Sequence, residues 1–429
     1  MTRVLCLNAG SSSLKLALHA GEDRLAQGAV ERVGLDRGRF WLLGGAAAID
    51  REGRFPDHAA AVETALAALD GTDLHPQAVA HRLVHGGPVH HAPAIIDGAL
   101  LDSLRELVHF APLHLPAEIA VIDAIARHYP DLPQVACFDT HFHWELPEVS
   151  RRLPLPLALH EQGVWRYGFH GLSYEYVVST LGAAQLGNAV IAHLGNGASL
   201  AAVRDGRPID TTMAFTPASG VMMGTRAGDV DPGVVLFLLA RGAGPAEVER
   251  LLTRESGLLG VSGLTSDVKE LLAVRHNDPR AALAVEMFCS SCRKAVGALA
   301  AVLGGLDTLV FTGGIGENAA PVRAEICAGL AHLGVMLDAA SNDAGAPIVS
   351  AAGSRCAVRV VRTDEDLVLA RHARRLLGSA SPALPRRHRM RSAIPGAVSA
   401  RHGSRAEVSQ RFRAVLSRCE ARLLQLSNC

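Results

Sequence analysis

The stretch NAGSSSLK, residues 8–15, sets an amide, three hydroxyls and one of only three lysines in the chain between two apolar runs. A tight turn needs a Gly or an Asn, not a row of hydroxyls followed by a cation. Backbone N–H groups over Ala9–Ser13, with the hydroxyls of Ser11 and Ser13, could converge on phosphate oxygens, while Lys15 adds charge and Asn8 reaches a metal-bound water. The GxxxxGK[ST] spacing of a P-loop is absent and no helix follows directly, so a hairpin would have to do this; an ordinary polar turn has the same composition. A second glycine-rich stretch, FTGGIGEN (311–318), lies between an apolar run and a helical segment with Pro321 near its start. Close backbone approach and a helix N-terminus both favour a nucleotide there. Arg226, in TPASGVMMGTRAGDVDPG (216–233), lies between Gly224 and Gly228, so its guanidinium could reach into a cleft. A planar fork of fixed charge suits a phosphoryl group in transfer, and a solvated loop arginine is the plain alternative.

Twenty histidines are present, and His85, His114, His141 and His170 stand near Gly or Pro in loop-like segments. FDTHFH (138–143) sets Asp139, His141 and His143 at alternate positions, which would share one face of a continuing strand. That spacing could ligate zinc or iron and is the best argument for a different class, a metal-dependent hydrolase. YGFHG (167–171) could supply a positioned imidazole, and HRLVHGG (81–87) puts Arg82 at the end of a buried strand, where α/β proteins commonly hold ligands. Cys289 and Cys292 form a lone CxxC in a helical segment; without a second pair they read as two small core residues on one helix face.

These residues need a scaffold, and the same local design occurs twice. In VLCLNAGSSSLKLAL (4–18) and AVIAHLGNGASLAAVRDG (189–206) an apolar strand enters a Gly/Asn/Ser turn and leaves as a second strand; RPIDTT continues the second copy as a third. Two such units about 185 residues apart predict a duplicated domain with a phosphate-sized turn from each half facing a shared cleft. Helical periodicity over 59–71, 97–114 and 116–130, alternating with buried strands beginning QAVAHRL and QVACF, gives an α/β class. Further helices are expected near 231–242, 244–254, 265–275 and 279–303, then strand, Gly-rich turn and helix across 306–334, and a last helix in DEDLVLARHARRLL.

With 429 residues and 49% hydrophobic content, the chain can bury a large core and form two domains. Charges such as Glu286, Arg293 and Lys294 interrupt the longest apolar runs, so no membrane helix is expected. The start reads as a strand rather than a secretory signal, and eight scattered cysteines suit a reducing compartment, so a cytoplasmic location is expected. Residues 379–429 hold ten arginines against Glu407 and Glu420, while residues 1–378 carry 32 basic against 40 acidic side chains. The body is therefore not a nucleic-acid binder by charge; the basic tail, with one expected helix near 405–426, reads as an appended and partly disordered segment of unknown partner.

In their order along the chain, NAGSSSLK, HRLVHGG, APLHLP, FDTHFH, YGFHG, HLGNG, DTT, MGTRAGDVDP, SGLLGVSG and FTGGIGEN resemble the acetate kinase family from residue 4 to about residue 378. The resemblance implies reversible transfer of the γ-phosphoryl of ATP to acetate, with propionate or butyrate as the alternative acid. It also implies a homodimer, and Mg²⁺ with Mn²⁺ as a substitute. The implied fold is the duplicated actin/hexokinase-like (ribonuclease H-like) one: residues 1–147 plus 366–378 form one domain, residues 148–365 a nucleotide-binding domain, and a central cleft lies between. By the same resemblance Asn8 and Glu365 sit on the metal side, and Lys15 meets the nucleotide phosphates with Ser11 and Ser13 nearby. Arg82 would hold the carboxylate or the transferring phosphoryl group. Asp139 looks like the essential acidic residue, and His170 and Arg226 resemble transition-state stabilisers supported by His114 and Asn196. ATP contacts would come from His193, Leu194, Gly195, Asn196 and Gly197, from Asp267, Val268 and Lys269, and from Gly314, Ile315, Gly316, Glu317 and Asn318. Val84, Leu113, Phe169 and Pro217 look like the pocket for the acyl methyl. Lys269 stands where Arg is commoner, Leu115 and Asp364 where Asn is commoner, and the tail has no counterpart.

Overall fold

The chain builds two sheets, seen in a computed structural model that describes residues 2–10, 12–45 and 47–379. Ser11 and the basic tail beyond residue 379, with its expected helix, lie outside the described residues. The first sheet holds β1 (Arg3–Ala9), β2 (Ser13–Ala20), β3 (Asp23–Glu31), β4 (Gly38–Gly44), β5 (Ala47–Gly53), β6 (Ala78–Leu83), β7 (Ala94–Ile95) and β8 (Gln134–Phe138) in the order β5-β4-β3-β2-β1-β6-β8-β7. The second holds β9 (Asn188–Leu194), β10 (Ala198–Arg204), β11 (Arg207–Thr211), β12 (Thr308–Thr312) and β13 (Ala357–Val360) in the order β11-β10-β9-β12-β13.

The duplication is explicit in the pairing. β3-β2-β1-β6-β8 and β11-β10-β9-β12-β13 share one order, each with two antiparallel pairs followed by two parallel ones. Asn8 faces Lys15 on β2 and Arg82 on β6; His193 faces Ser199 on β10 and Thr312 on β12. Asn8 and His193 are thus equivalent positions of the two halves.

Alternation along the strands decides what reaches the ends of the sheets. On one face of the first sheet Val4, Cys6, Ala78, Ala80, Val135 and Cys137 pack under Val368, Leu369, Ala370 and Ala373 of the helix Glu365–Ser379. The next position on that face is Asn8 on β1, Arg82 on β6 and Asp139 just past β8, so three polar residues emerge together beyond the helix N-terminus. The helix Gly171–Leu181 covers the second sheet in the same way, Tyr174 and Val177 packing on Ala189, Ile191, Ala201, Val203 and Val310. Each of these helices follows the fifth strand of one half and packs on the sheet of the other.

The other face of the second sheet lies in one core with the 25-residue helix Pro279–Leu303, where Phe288, Cys289 and Cys292 are fully buried. Burial raises the Cys289 thiol to about 12, as a packing role requires. Two local expectations are corrected. The stretch 97–114 is not one helix but Gly98–Glu106, a 3₁₀ turn Leu107–Phe110 and a bend, because Pro112 lacks an N–H and disfavours helical geometry at Ala111. The Gly-rich turn after β12 is itself a short helix, Gly313–Asn318, since Gly313 takes φ +76 and turns the chain directly off the strand.

Candidate active site

Arg82 anchors the site. Its side chain is 15% exposed; Nη2 pairs with the buried Asp139 carboxylate, and Nη1 stands 3.8 Å from Oε1 of fully buried Glu118. Asp139 owes its place to the end of β8: its N–H donates to Leu83 O (2.9 Å), and its own carbonyl accepts the Gly171 N–H (2.9 Å). A Cβ at Gly171 would lie 2.2 Å from that carbonyl, so only glycine permits the joint. His170, immediately before it, takes the left-handed conformation at φ +58. The left-handed backbone of His170, held by the Asp139–Gly171 bond, delivers the imidazole beside the Arg82 end of the sheet.

A hydroxyl relay fixes that imidazole. Tyr174 Oη lies 2.5 Å from Ser199 Oγ, which lies 2.8 Å from His170 Nδ1. His193 is held likewise, its Nδ1 2.8 Å from Ser173 Oγ. Burial, then the neighbouring His193 and the charges of Arg82 and Arg226, holds His170 well to the neutral side. Burial and Arg82 push His193 down to about 4, and burial with Arg82, Arg226 and Arg254 pushes His114 down to about 3. Neutral imidazoles here offer one donor and one acceptor nitrogen each, not a charge.

Arg226 closes the group from the opposite side. Its Nη1 donates to Pro217 O (3.0 Å), and burial followed by Arg82 lowers its proton affinity. A Cβ at Gly197, in the β9–β10 turn, would lie 3.3 Å from His170 Nε2 and 3.5 Å from Arg226 Nη1. His170 and Arg226 therefore converge on the glycine-lined space at the second hairpin, within electrostatic reach of Arg82. Gly224 N donates to Asn196 O (3.0 Å) and seats the Arg226 loop on that same hairpin.

An apolar cavity of about 440 Å³ opens beside this group, lined by Leu113, His114, Pro217, Arg226, Val235 and Leu239 among others. Of the four residues expected to surround an acyl methyl, Leu113 and Pro217 line it. Val84 and Phe169, 2% and 1% exposed, stand instead in the core that also holds Phe110 and Ala111 of the cavity wall.

The glycine segment serves partly as structure. Glu317 Oε1 accepts the N–H of Gly313 (3.0 Å) and of Thr363 (3.1 Å), Asn318 Nδ2 donates to Gly314 O (2.9 Å), and buried Arg323 donates to Gly316 and Glu317 carbonyls. Asp267 caps the helix Val268–Val274 by accepting Lys269 N–H (2.7 Å), leaving the Lys269 side chain exposed. Lys15 is exposed on β2, and Gly10 closes the first hairpin through Ser13 O (2.8 Å). On the metal side, burial and the Asp139 charge raise Glu365 to about 7, and burial with the Asp364 charge raises Asp366 to about 6. Asp139 Oδ1 is buried with no hydrogen-bond partner. An orphaned carboxylate oxygen close to a second carboxylate fits a hard divalent cation such as Mg²⁺.

The alternative metal centre does not form. β8 ends at Phe138 and a 3₁₀ turn begins at His141, so Asp139, His141 and His143 never share a strand face. His141 Nδ1 turns to His91 O (2.6 Å), His143 Nε2 to Phe169 O (3.1 Å), and Asp139 to Arg82. Among the described residues no group of three His, Cys, Asp or Glu is placed to hold a metal ion. Glu118 and Ser199 are members of the site that the sequence left unmarked.

Two hairpins of one design, each at the end of a five-stranded unit of one order, define the duplicated actin/hexokinase-like class of phosphotransferases. The acetokinase family profile matches residues 3–371, and the chain belongs to that family. It is 45% identical over 392 residues to an acetate kinase of Rhodopseudomonas palustris, covering 87% of this chain and 98% of that one. It is 40% identical over 397 residues to a propionate kinase of Citrobacter rodentium, covering 89% and 98%. The crystal structure of Porphyromonas gingivalis acetate kinase superposes with a TM-score of 0.79 at 38% identity, covering 88% of this chain and all of that one.

Proposed function

We propose that this protein transfers the γ-phosphoryl group of ATP reversibly to acetate, giving acetyl phosphate and ADP. The observation that carries the mechanism is the convergence of His170 and Arg226 on the space at Gly197, within reach of Arg82. A carboxylate oxygen forms the new bond to phosphorus as the bond to the bridging oxygen breaks, and ADP leaves with the electron pair. Carboxylates are ionised at pH 7, so no strong base is needed; cancelling repulsion between two anions is the main task. Arg82 holds the acid or the phosphoryl group, Arg226 and neutral His170 stabilise the equatorial oxygens, and His114 and Asn196 support them. Asp139 orients Arg82 rather than removing a proton. Lys15, Ser11 and Ser13 serve the phosphates from the first hairpin. His193–Gly197, Asp267–Lys269 and Gly314–Asn318 serve the nucleotide from the second half. Asn8 and Glu365 would hold Mg²⁺, which when bound neutralises phosphate charge.

The two halves, residues 1–147 with 366–378 and residues 148–365, close over the cleft to exclude water. Homodimerisation uses the helix Pro232–Ala240. It buries none of its residues, and Leu236 and Phe237 are 67% and 57% exposed, so water contact is unfavourable until a second copy covers them. Among the described residues no helix is long and apolar enough to cross a membrane, and six buried cysteines are free thiols; a cytoplasmic location is consistent with both. Propionate or butyrate as the preferred acid is the second reading, favoured by a cavity larger than an acetate methyl needs. A methylene is worth only about 0.8 kcal/mol, so the acids should differ modestly.

Trapping of the acyl phosphate with hydroxylamine, in the presence of ATP, Mg²⁺ and each acid, is the test. Acid-dependent product is expected. ATP loss that ignores the acid, or no turnover, overturns the proposal.

A further inference from the structure

Arg82 does not meet one carboxylate but two. Its Nη2 pairs with Asp139, and its Nη1 stands 3.8 Å from Glu118 Oε1. Glu118 lies in the first turn of the helix Leu115–His128, directly after His114, and is 1% exposed. Both of its oxygens face the Val84 N–H, at 3.2 and 3.1 Å, so it also fastens the chain just past Arg82 to the helix that carries His114. No expected role in phosphoryl transfer uses this residue, yet a buried acid here is costly and must be balanced by what surrounds it.

We infer that Glu118 is a positioning residue that sets how much positive charge Arg82 offers to an incoming anion. When Glu118 is neutral, Arg82 and Asp139 form a balanced pair, and the guanidinium can turn a donor toward a carboxylate or phosphoryl oxygen. When Glu118 is ionised, the three groups together carry a net negative charge, and an anion entering beside Arg82 is repelled. This rests on the reading of Arg82 as the anion holder in the proposed transfer. The groups that face Glu118 and Arg82 are Asp139 past β8, Glu365 at the start of the last helix, His114 one turn before Glu118 on its own helix, and, from the second half, His170, His193 and Arg226. Burial raises Glu118 to about 8, with Arg82 and the Val84 N–H opposing, so the switch between its two forms falls just above neutral pH.

The test measures KM for the acid from pH 6.5 to 9.5 in the wild type, Glu118→Gln and Glu118→Asp. In the wild type, KM should rise about tenfold between pH 7 and 9, the order expected for one unit charge at short range in an intermediate dielectric. Glu118→Gln keeps an acceptor for Val84 but cannot ionise, so its KM should be lower at pH 9 and nearly flat. Glu118→Asp keeps the charge and shortens the reach, so the pH dependence should survive while kcat falls. Parallel KM profiles for wild type and Glu118→Gln overturn the inference, and so does a flat wild-type profile should Glu118→Gln fail to fold. A wild type that makes no acyl phosphate at pH 7 overturns the functional reading itself, which is a separate outcome from a flat profile in an active enzyme.

Discussion

The imidazoles of His170 and His193 stack with ring centroids 4.2 Å apart and planes inclined by 20°. Each ring is held through Nδ1 by a serine hydroxyl, and neither charges easily: burial dominates for both, Arg82 adds to it, and His193 adds further for His170. When the Tyr174 hydroxyl donates to Ser199, and Ser199 in turn to His170 Nδ1, the proton on His170 sits at Nε2 and faces Gly197. In that arrangement His170 presents a donor of fixed direction to the space beside the hairpin.

Removing Ser199 should loosen that direction. Ser199→Ala is expected to lower kcat about ten- to hundredfold, because a donor aimed in advance is worth that order in phosphoryl transfer. The buried Tyr174 hydroxyl loses its partner as well, which should cost about 1–3 kcal/mol of stability. Steady-state kinetics and a denaturation curve read the two effects separately.

Gly197→Ala places a methyl group between His170 and Arg226, at 3.3 and 3.5 Å from their nearest nitrogens. The fold has no reason to change, since Gly197 is not at positive φ. Turnover should fall about a hundredfold, the effect expected from a displacement near 1 Å in an aligned reaction. A melting temperature equal to that of the wild type, with activity lost, would show that the space rather than the scaffold was damaged.

Asp139→Asn breaks the ion pair with Arg82 and removes the nearer of the two buried carboxylates that face the arginine. Turnover should drop by about two orders of magnitude or more, and the Mg²⁺ concentration for half-maximal rate should rise. A magnesium titration of initial rates checks this; near-normal turnover with unchanged magnesium dependence would remove the orienting role of Asp139.

The ligand-free protein should be most stable near pH 6.5. His81, His85, His143 and His193 are pushed by burial down to about 4, so below about 6.5 the unfolded chain binds more protons and stability falls with acid. Glu118 and Glu365 are raised by burial from the ordinary carboxylate range to about 8 and about 7, so stability is lost between that range and those values; below about 6.5 the more numerous histidines outweigh this loss, and above it the loss stands alone. Melting temperatures measured from pH 5 to 9 should trace a maximum between the two slopes.

Most of the scaffold was legible because it is written in local periodicity. Alternating apolar runs broken by a Gly/Asn/Ser turn appear twice, and the three-strand continuation through RPIDTT became β11. The residues with unusual chemistry, Arg82 at a strand end and Arg226 among glycines, were visible by their setting. Glu118 and Ser199 were not. An acid in the first turn of a helix reads as a partner for the helix dipole, and a serine in an apolar strand reads as tolerated polarity. Their meaning comes from Val84, Arg82, His170 and Tyr174, which approach only once the chain is folded. FDTHFH misled for the opposite reason: alternate spacing implies a shared face only while a strand persists, and the strand stops one residue before Asp139.

Because the helix after β8 roofs the second sheet and the helix after β13 roofs the first, neither repeat could have been inherited as a free-standing ancestor in its present form. A chain severed between residues 181 and 188 would yield two fragments, each exposing a bare apolar sheet surface or an unclothed helix. Such pieces would be expected to fold only in each other's company, which makes complementation of separately expressed fragments a natural outcome of this architecture.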